Sequence, residues 1–294
     1  MLLDEECKEC LFNSQLKKVL RDRGDCEKTE RFKKGVKELC ANPPADYCAP
    51  LLMRDIDGLH RKIFGSGIDY SAEKELFNRK LSEIEDKLFD SVSASRDPLA
   101  EALKFSMAAN YIDFARIANL DENAVDYVIS AARRAEPDKD ALDIFKNKLE
   151  SAKRLCFLHD NCGEIVLDKI LIRIIKKLRP EIAVTSVVRG SAIINDATRA
   201  DAEQVGLGAY SKIADNGTGV PGTYLKEISA ETLNVLKEAD VIISKGLGNL
   251  ETLYGEGYSA FYCFTCKCLH ISERFGAPLW SAVFVYEGAE EVIK

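Results

Sequence analysis

The sequence predicts an α/β protein: a three-layer α/β/α sandwich around a mostly parallel, Rossmann-like sheet, preceded by a helical accessory domain. Three observations carry this prediction. Residues 1–150 show helical periodicity and no strand pattern of useful length. Residues 151–294 alternate short apolar runs with helical patterns, which is how a parallel sheet covered by helices on both faces is written. Finally, the runs LCFLHDNCGE, SAIINDAT, DVIISKGLGN and AFYCFTCKC each end on a residue suited to metal or phosphate and then turn into a helix. Open α/β sheets bind ligands beyond the carboxyl ends of their strands, so Asp160, Asn161, Asp196, Lys245 and Lys267 are expected to converge.

Taken in order, Glu5 to Leu20 carries Cys7, Cys10, Leu11 and Ser14 at i, i+3, i+4 and i+7, one face of a helix. Asn42-Pro43-Pro44 and Gly65-Ser66-Gly67 are breaks, and a helix follows through Leu76, Leu81, Ile84 and Leu88. Asp97-Pro98 supplies an N-cap and a first-turn proline for the run that begins at Leu99. Strands are expected over 155–159, 182–188, 241–244, 261–264 and 282–286, and Ala192-Ile193-Ile194 reads as a further strand end. The helices between them span 165–178, 198–205, 233–239 and 268–275, three of them stopped by Pro180, Gly206 and Gly276.

A chain of 294 residues with a 46% hydrophobic fraction is long enough to bury a substantial core. Its net charge of -7 argues against a nucleic-acid surface, whose affinity comes from clustered Lys and Arg. No apolar run is long enough to cross a bilayer, and the start MLLDEECKEC lacks the pattern of a secretory signal, so a cytoplasmic location is expected. A homo-oligomer is compatible with all of this.

The candidate chemistry rests on a few side chains. Asp160 offers a hard oxygen ligand for a divalent cation, and Asn161 a second oxygen without added charge, although Asn in that place also caps helices. Asn195-Asp196 repeats the arrangement with the same capping alternative, Thr198 being a second candidate cap. The turn Lys245-Gly246-Leu247-Gly248-Asn249-Leu250-Glu251 reads as an anion cradle or as an ordinary strand-to-helix turn. It is not a Walker A loop, because the lysine precedes both glycines. Lys267 is either a phosphate contact or a surface lysine, and the stretch from Asp215 to Thr223 reads as a substrate-side loop.

With those motifs stated, the chain resembles the metal-dependent damage-control phosphatases, long known only as a domain of unknown function. HDNCGE, INDAT, SKGLGNLE and the Lys267-Cys268 pair carry the resemblance in the family's order, together with Ala109-Asn110-Tyr111-Ile112-Asp113 and the amino-terminal Cys-x-x-Cys. The likeness is to the archaeal and bacterial branch with GNxE and KC motifs, with Leu250 where an aromatic is common. The resemblance implies Asp160, Asn161 and Asp196 as metal ligands, Lys267 as a phosphate contact, and Mn, Ni, Co or Mg as the metal. It implies small phosphorylated metabolites, sugar phosphates or damaged ones, as substrates.

The expected reaction is hydrolysis of a phosphomonoester by a metal-activated water. Asp160 or Glu164 would assist as base; Lys245, Lys267 and the turn of Gly246, Gly248, Asn249 and Glu251 would stabilise the phosphoryl oxygens. Asn110 and Asp113, at i and i+3, either reach the site from the accessory domain or form a core pair. Two alternatives are a non-catalytic binder of phosphorylated metabolites and a haloacid-dehalogenase-like enzyme with Asp160 as nucleophile, the latter disfavoured because its second acid is here Cys162. Cys7, Cys10, Cys263 and Cys266 have zinc-ligand spacing but are expected as buried small hydrophobes.

Overall fold

A computed structural model describes residues 1–21, 26–110 and 124–288. Its centre is one six-stranded sheet with strands β1 (Arg154–Leu158), β2 (Ala183–Val188), β3 (Lys212–Asp215), β4 (Val241–Lys245), β5 (Ala260–Thr265) and β6 (Ala282–Glu287), in the order β3-β2-β1-β4-β5-β6. Neighbours pair in parallel except β6, which runs antiparallel to β5 along the edge. Strand order reverses between β1 and β4, and the crevice at such a reversal is where open α/β sheets take ligands.

The sheet is apolar on both faces because both are covered. Successive strand residues point to opposite sides. Leu155 and Phe157 of β1 therefore face one core with α8 (Glu164–Leu178), α4 (Ser71–Ser93), α5 (Pro98–Ala109), α6 (Ala124–Ala132) and α7 (Lys139–Ser151). Cys156 and Leu158 face the other, with α10 (Ala230–Glu238), α11 (Gly246–Leu253) and α12 (Leu269–Phe275). The result is the α/β/α sandwich. A smaller core of Phe32, Val36, Leu52 and Ile56 joins α2 (Cys26–Ala41) to α3 (Ala49–Phe64), with α1 (Glu5–Arg21) beside them.

Two readings of the sequence differ from the structure. β3 is a strand where none was expected; four residues at a sheet edge, of which only Ala214 is buried, leave too little pattern to recognise. Ala192-Ile193-Ile194, expected as a strand end, is a loop. The preceding strand β2 already ends at Val188, and the loop makes only isolated bridges, Asn161 with Asp196 and Arg189 with Thr198. Ile193 is apolar because it plugs inward, and Ile194 takes a left-handed φ of 47°, uncommon for a β-branched residue. No described helix is long and apolar enough to cross a membrane.

Candidate active site

The site is assembled from the turn after β1, the loop after β2, the start of α11, the end of α5 and the turn after β5. Asp160 follows β1 almost directly, and its carbonyl accepts the Ala197 N–H at 2.7 Å. Its carboxylate lies against Gly246, the first residue of α11, where a β-carbon would overlap it and where φ is +79°. Glycine at this position is thus required twice, by approach and by backbone angle.

Asn161 does not cap α8. Its amide donates to Asp160 Oδ2 at 2.8 Å and Glu164 Oε1 at 2.7 Å, which leaves Oδ1 without a described donor and turned from those carboxylates. Asn110, at the end of α5, repeats the arrangement, donating to Asp160 Oδ2 at 3.2 Å and to both Glu164 oxygens, while its Oδ1 accepts the Thr265 N–H at 3.0 Å. Asp196 comes from the long loop after β2 and not from a strand end. Thr198, with Asp201 in a capping box, caps the next helix α9 (Arg199–Gln204), which frees Asp196 from that duty. Asp196 Oδ2 accepts from Arg189 Nε at 2.7 Å.

Three carboxylates, the half-buried Asp160 and the buried Glu164 and Asp196, therefore crowd one place. Burial first, then the charges of Glu164 and Asp196, push Asp160 up to about 8, against the pull of Arg189 and Lys267. Burial likewise raises Asp196, with Arg189 and Lys74 opposing. An acid whose folded pKa lies above its unfolded value destabilises the fold once ionised, because the unfolded chain then holds fewer protons than the folded one. The melting temperature in chelator should therefore fall as pH rises from 5 to 8, and Asp160→Asn should flatten that slope. An unchanged slope in Asp160→Asn would rule Asp160 out as its source.

Behind this layer Lys245 is wholly buried: its ammonium donates to Asp168 Oδ1 at 2.6 Å and the Ser106 carbonyl at 2.7 Å, with Glu164 at 3.6 Å. Burial would lower it, but Asp168 above all holds its pKa raised. Burial would raise Asp168, yet Lys245 and His159 keep it below the usual carboxylate range. The sequence expected Lys245 at the phosphate; the structure gives it a supporting place beneath the carboxylates. Period-two alternation sends it, with Val241 and Ile243, to the α5/α8 face.

The rest of the expected cradle divides. Asn249 is a buried bracket, donating to the carbonyls of His159 and Lys245 and accepting from Arg189 and Thr223. Gly248 is needed where a β-carbon would overlap the Pro221 carbonyl. Leu247, Gly248 and Glu251 border a cleft of about 590 Å³, along with Asp160, Asn161, Asp196 and the exposed Lys267. Lys267 has no ion-pair partner among the described residues, and Asp113 lies outside them. Cys7, Cys10 and Leu11 face this same cleft, so their stripe is not a buried one; Cys10 is exposed, whereas Cys263 and Cys266 are buried.

Arg189, buried at the end of β2, was missed in the sequence. It pairs with Asp196, holds Asn249, and leaves Nη2 without a hydrogen bond, 3.7 Å from Asp160 Oδ1. A strand of apolar residues ending on Arg189-Gly190 was the available signal.

Among the described residues no three His, Cys, Asp or Glu side chains are arranged to hold a metal by themselves. Asp160, Asn161 and Asp196 nevertheless fit a hard divalent cation: the set is all oxygen, includes a neutral amide, and carries excess negative charge that a dication relieves.

The fold and site define a class: a Rossmann-like α/β protein with an acidic centre at its switch point. The damage-control phosphatase ARMT1-like domain matches residues 3–283, and the chain belongs to that family. It is 30% identical to a damage-control phosphatase of Archaeoglobus fulgidus, over 76% of this chain and 79% of that one. Identity is 29% to the damage-control phosphatase PH1575 of Pyrococcus horikoshii, over 72% and 71%. The crystal structure of that DUF89 family protein superposes with a TM-score of 0.82 at 25% identity, covering 97% of this chain and 99% of the other.

Proposed function

We propose that the chain is a metal-dependent phosphatase that hydrolyses small phosphomonoesters, sugar phosphates or damaged phosphometabolites, with Mn, Mg, Co or Ni. The observation that carries this reading is the meeting of Asp160, Asn161 and Asp196 with Lys267 and the amino end of α11 on one cleft. Membership in a phosphatase family supports the reaction class.

Asp160, Asn161 and Asp196 would hold the cation, which when bound supplies Lewis-acid polarisation and acidifies a water. The phosphoryl group is received between Lys267 and the first amides of α11, whose N–H groups have no earlier helical carbonyl to bond. Of the two candidate bases only Asp160 borders the cleft. Glu164 stands behind Asn161 and Asn110, accepting hydrogen bonds from their amide groups and so turning the Asn161 oxygen outward. Arg189 and Lys245 balance the carboxylates from beneath. Position 162 is a cysteine, so a haloacid-dehalogenase-type attack by Asp160 lacks its second acid.

Lys267 separates enzyme from binder. Lys267→Ala should lower kcat by roughly a hundredfold, about 3 kcal/mol, with a smaller change in KM, because its charge is most useful as the phosphoryl group leaves. The check is release of inorganic phosphate from 4-nitrophenyl phosphate and a panel of sugar phosphates, with Mn and with chelator. No release from any ester by folded, metal-loaded wild type would leave only the non-catalytic binder.

A further inference from the structure

Helix α4 contributes no residue to the lining of the cleft, yet two of its side chains hold both turns that carry the candidate ligands. Asn78 is fully buried. Its Oδ1 accepts the Gly163 N–H at 2.7 Å, in the turn that begins with Asp160 and Asn161. Its Nδ2 donates to Asp201 Oδ1 and to Gln204 Oε1, both at 2.9 Å, in the helix that follows Asp196. One helical turn earlier, and so on the same face, Lys74 Nζ donates to the Asp196 carbonyl at 2.8 Å and pairs with Asp201 Oδ2 at 2.7 Å. Asp201 in turn accepts the Thr198 N–H and hydroxyl at 2.8 and 2.7 Å.

Each turn has an internal backbone bond, from Glu164 N–H to the Cys162 carbonyl at 2.8 Å and from Asp196 N–H to the Ile193 carbonyl at 3.1 Å, and each also contains a residue at positive φ. The first passes through Gly163 at φ +71°, and the second through Ile194 at φ 47°, a conformation that persists only where surrounding contacts enforce it. Those contacts include the Lys74 grip on Asp196 and the 2.9 Å bond from Cys162 N–H to the Asn195 carbonyl, which joins the turns directly. Helix α4 is itself fixed, with Leu81, Leu88 and Val92 in the sheet's core beside α8.

We infer that Lys74 and Asn78 are positioning residues that set the separation of Asp160 and Asn161 from Asp196, and through it the affinity for the divalent cation; this rests on the metal reading proposed above. Groups that orient ligands without touching the metal typically change metal affinity by roughly 10–100-fold when removed. A role in folding alone would lower stability and leave affinity untouched.

The experiment is calorimetric titration of full-length wild type, Lys74→Met, Lys74→Arg and Asn78→Ala with Mn. Melting in chelator and hydrolysis of 4-nitrophenyl phosphate across a Mn series accompany it. The expected result is Mn affinity weaker by roughly 10–100-fold in Lys74→Met and Asn78→Ala, an unchanged KM for the ester at saturating Mn, and recovery of most affinity in Lys74→Arg. Wild-type Mn affinity in the folded variants would overturn the inference while the metal reading stands; a wild type that binds no Mn would overturn both. Should Asn78→Ala fail to fold, Lys74→Met decides, with Lys74→Arg as the control that keeps a cation beside the buried Asp201.

Discussion

Asp160→Ala should abolish metal-dependent phosphate release, by roughly a thousandfold or more, while the chelator-treated protein melts no lower than wild type. The first part follows from the role proposed for Asp160 at the cleft, one of two anionic ligands and the candidate base, since single charge-stabilising contacts are already worth roughly a hundred- to a thousandfold. The second part follows from its surroundings. Asp160 is crowded by Glu164 and Asp196 and pushed up to about 8, so its ionised form opposes folding, and deleting it relieves that repulsion. Activity assays beside thermal melts check the pair. Loss of activity together with a large fall in melting temperature would mean that the residue is structural.

Lys245→Met should act in the opposite way, chiefly on stability. The methionine fills similar space but strands Asp168, which also holds Ser106 at 2.6 Å and His159 at 3.1 Å, without its buried cation. Removing one member of a buried pair costs about 3–5 kcal/mol, far more than the pair contributes relative to an apolar replacement. Asp168→Asn added to Lys245→Met should therefore recover part of the loss, a non-additivity that urea denaturation of the four proteins measures. Additive effects would show that the two side chains do not depend on one another.

The alternation of apolar runs and helices after residue 150 made the sandwich legible, because a sheet buried on both faces writes its strands as continuous apolar segments. β3 escaped because an edge strand of four residues with one buried side chain has almost no such signature. The Ile193-Ile194 run misled for the converse reason: a loop with one buried isoleucine looks like a strand when read locally. At the candidate site, Asp160, Asn161 and Asp196 were legible because short polar residues next to turns are scarce in apolar context, whereas Asn110 on its helix read equally as a core residue. Arg189 and Asp168 left a trace, a charge at the end or in the middle of a buried run, that was available and not used. Lys74 and Asn78 left none, since a Lys and an Asn on a highly charged helix look like any solvated face until the partner loops are placed in space.

The position of β1 also bears on how the chain folds. Its neighbours are β2 and β4, and the pairing of Leu155 with Val241 joins segments far apart in the chain. Parallel pairings of this kind close large loops and form slowly. Until β4 arrives, the apolar edge of Leu155 to Leu158 is open to other chains, as any unpaired strand edge is. A nascent chain that has emerged only as far as α10 therefore holds β1 as the open edge of an unfinished sheet. Rapid completion of β4 is then a requirement for solubility during synthesis, separate from anything the finished cleft does.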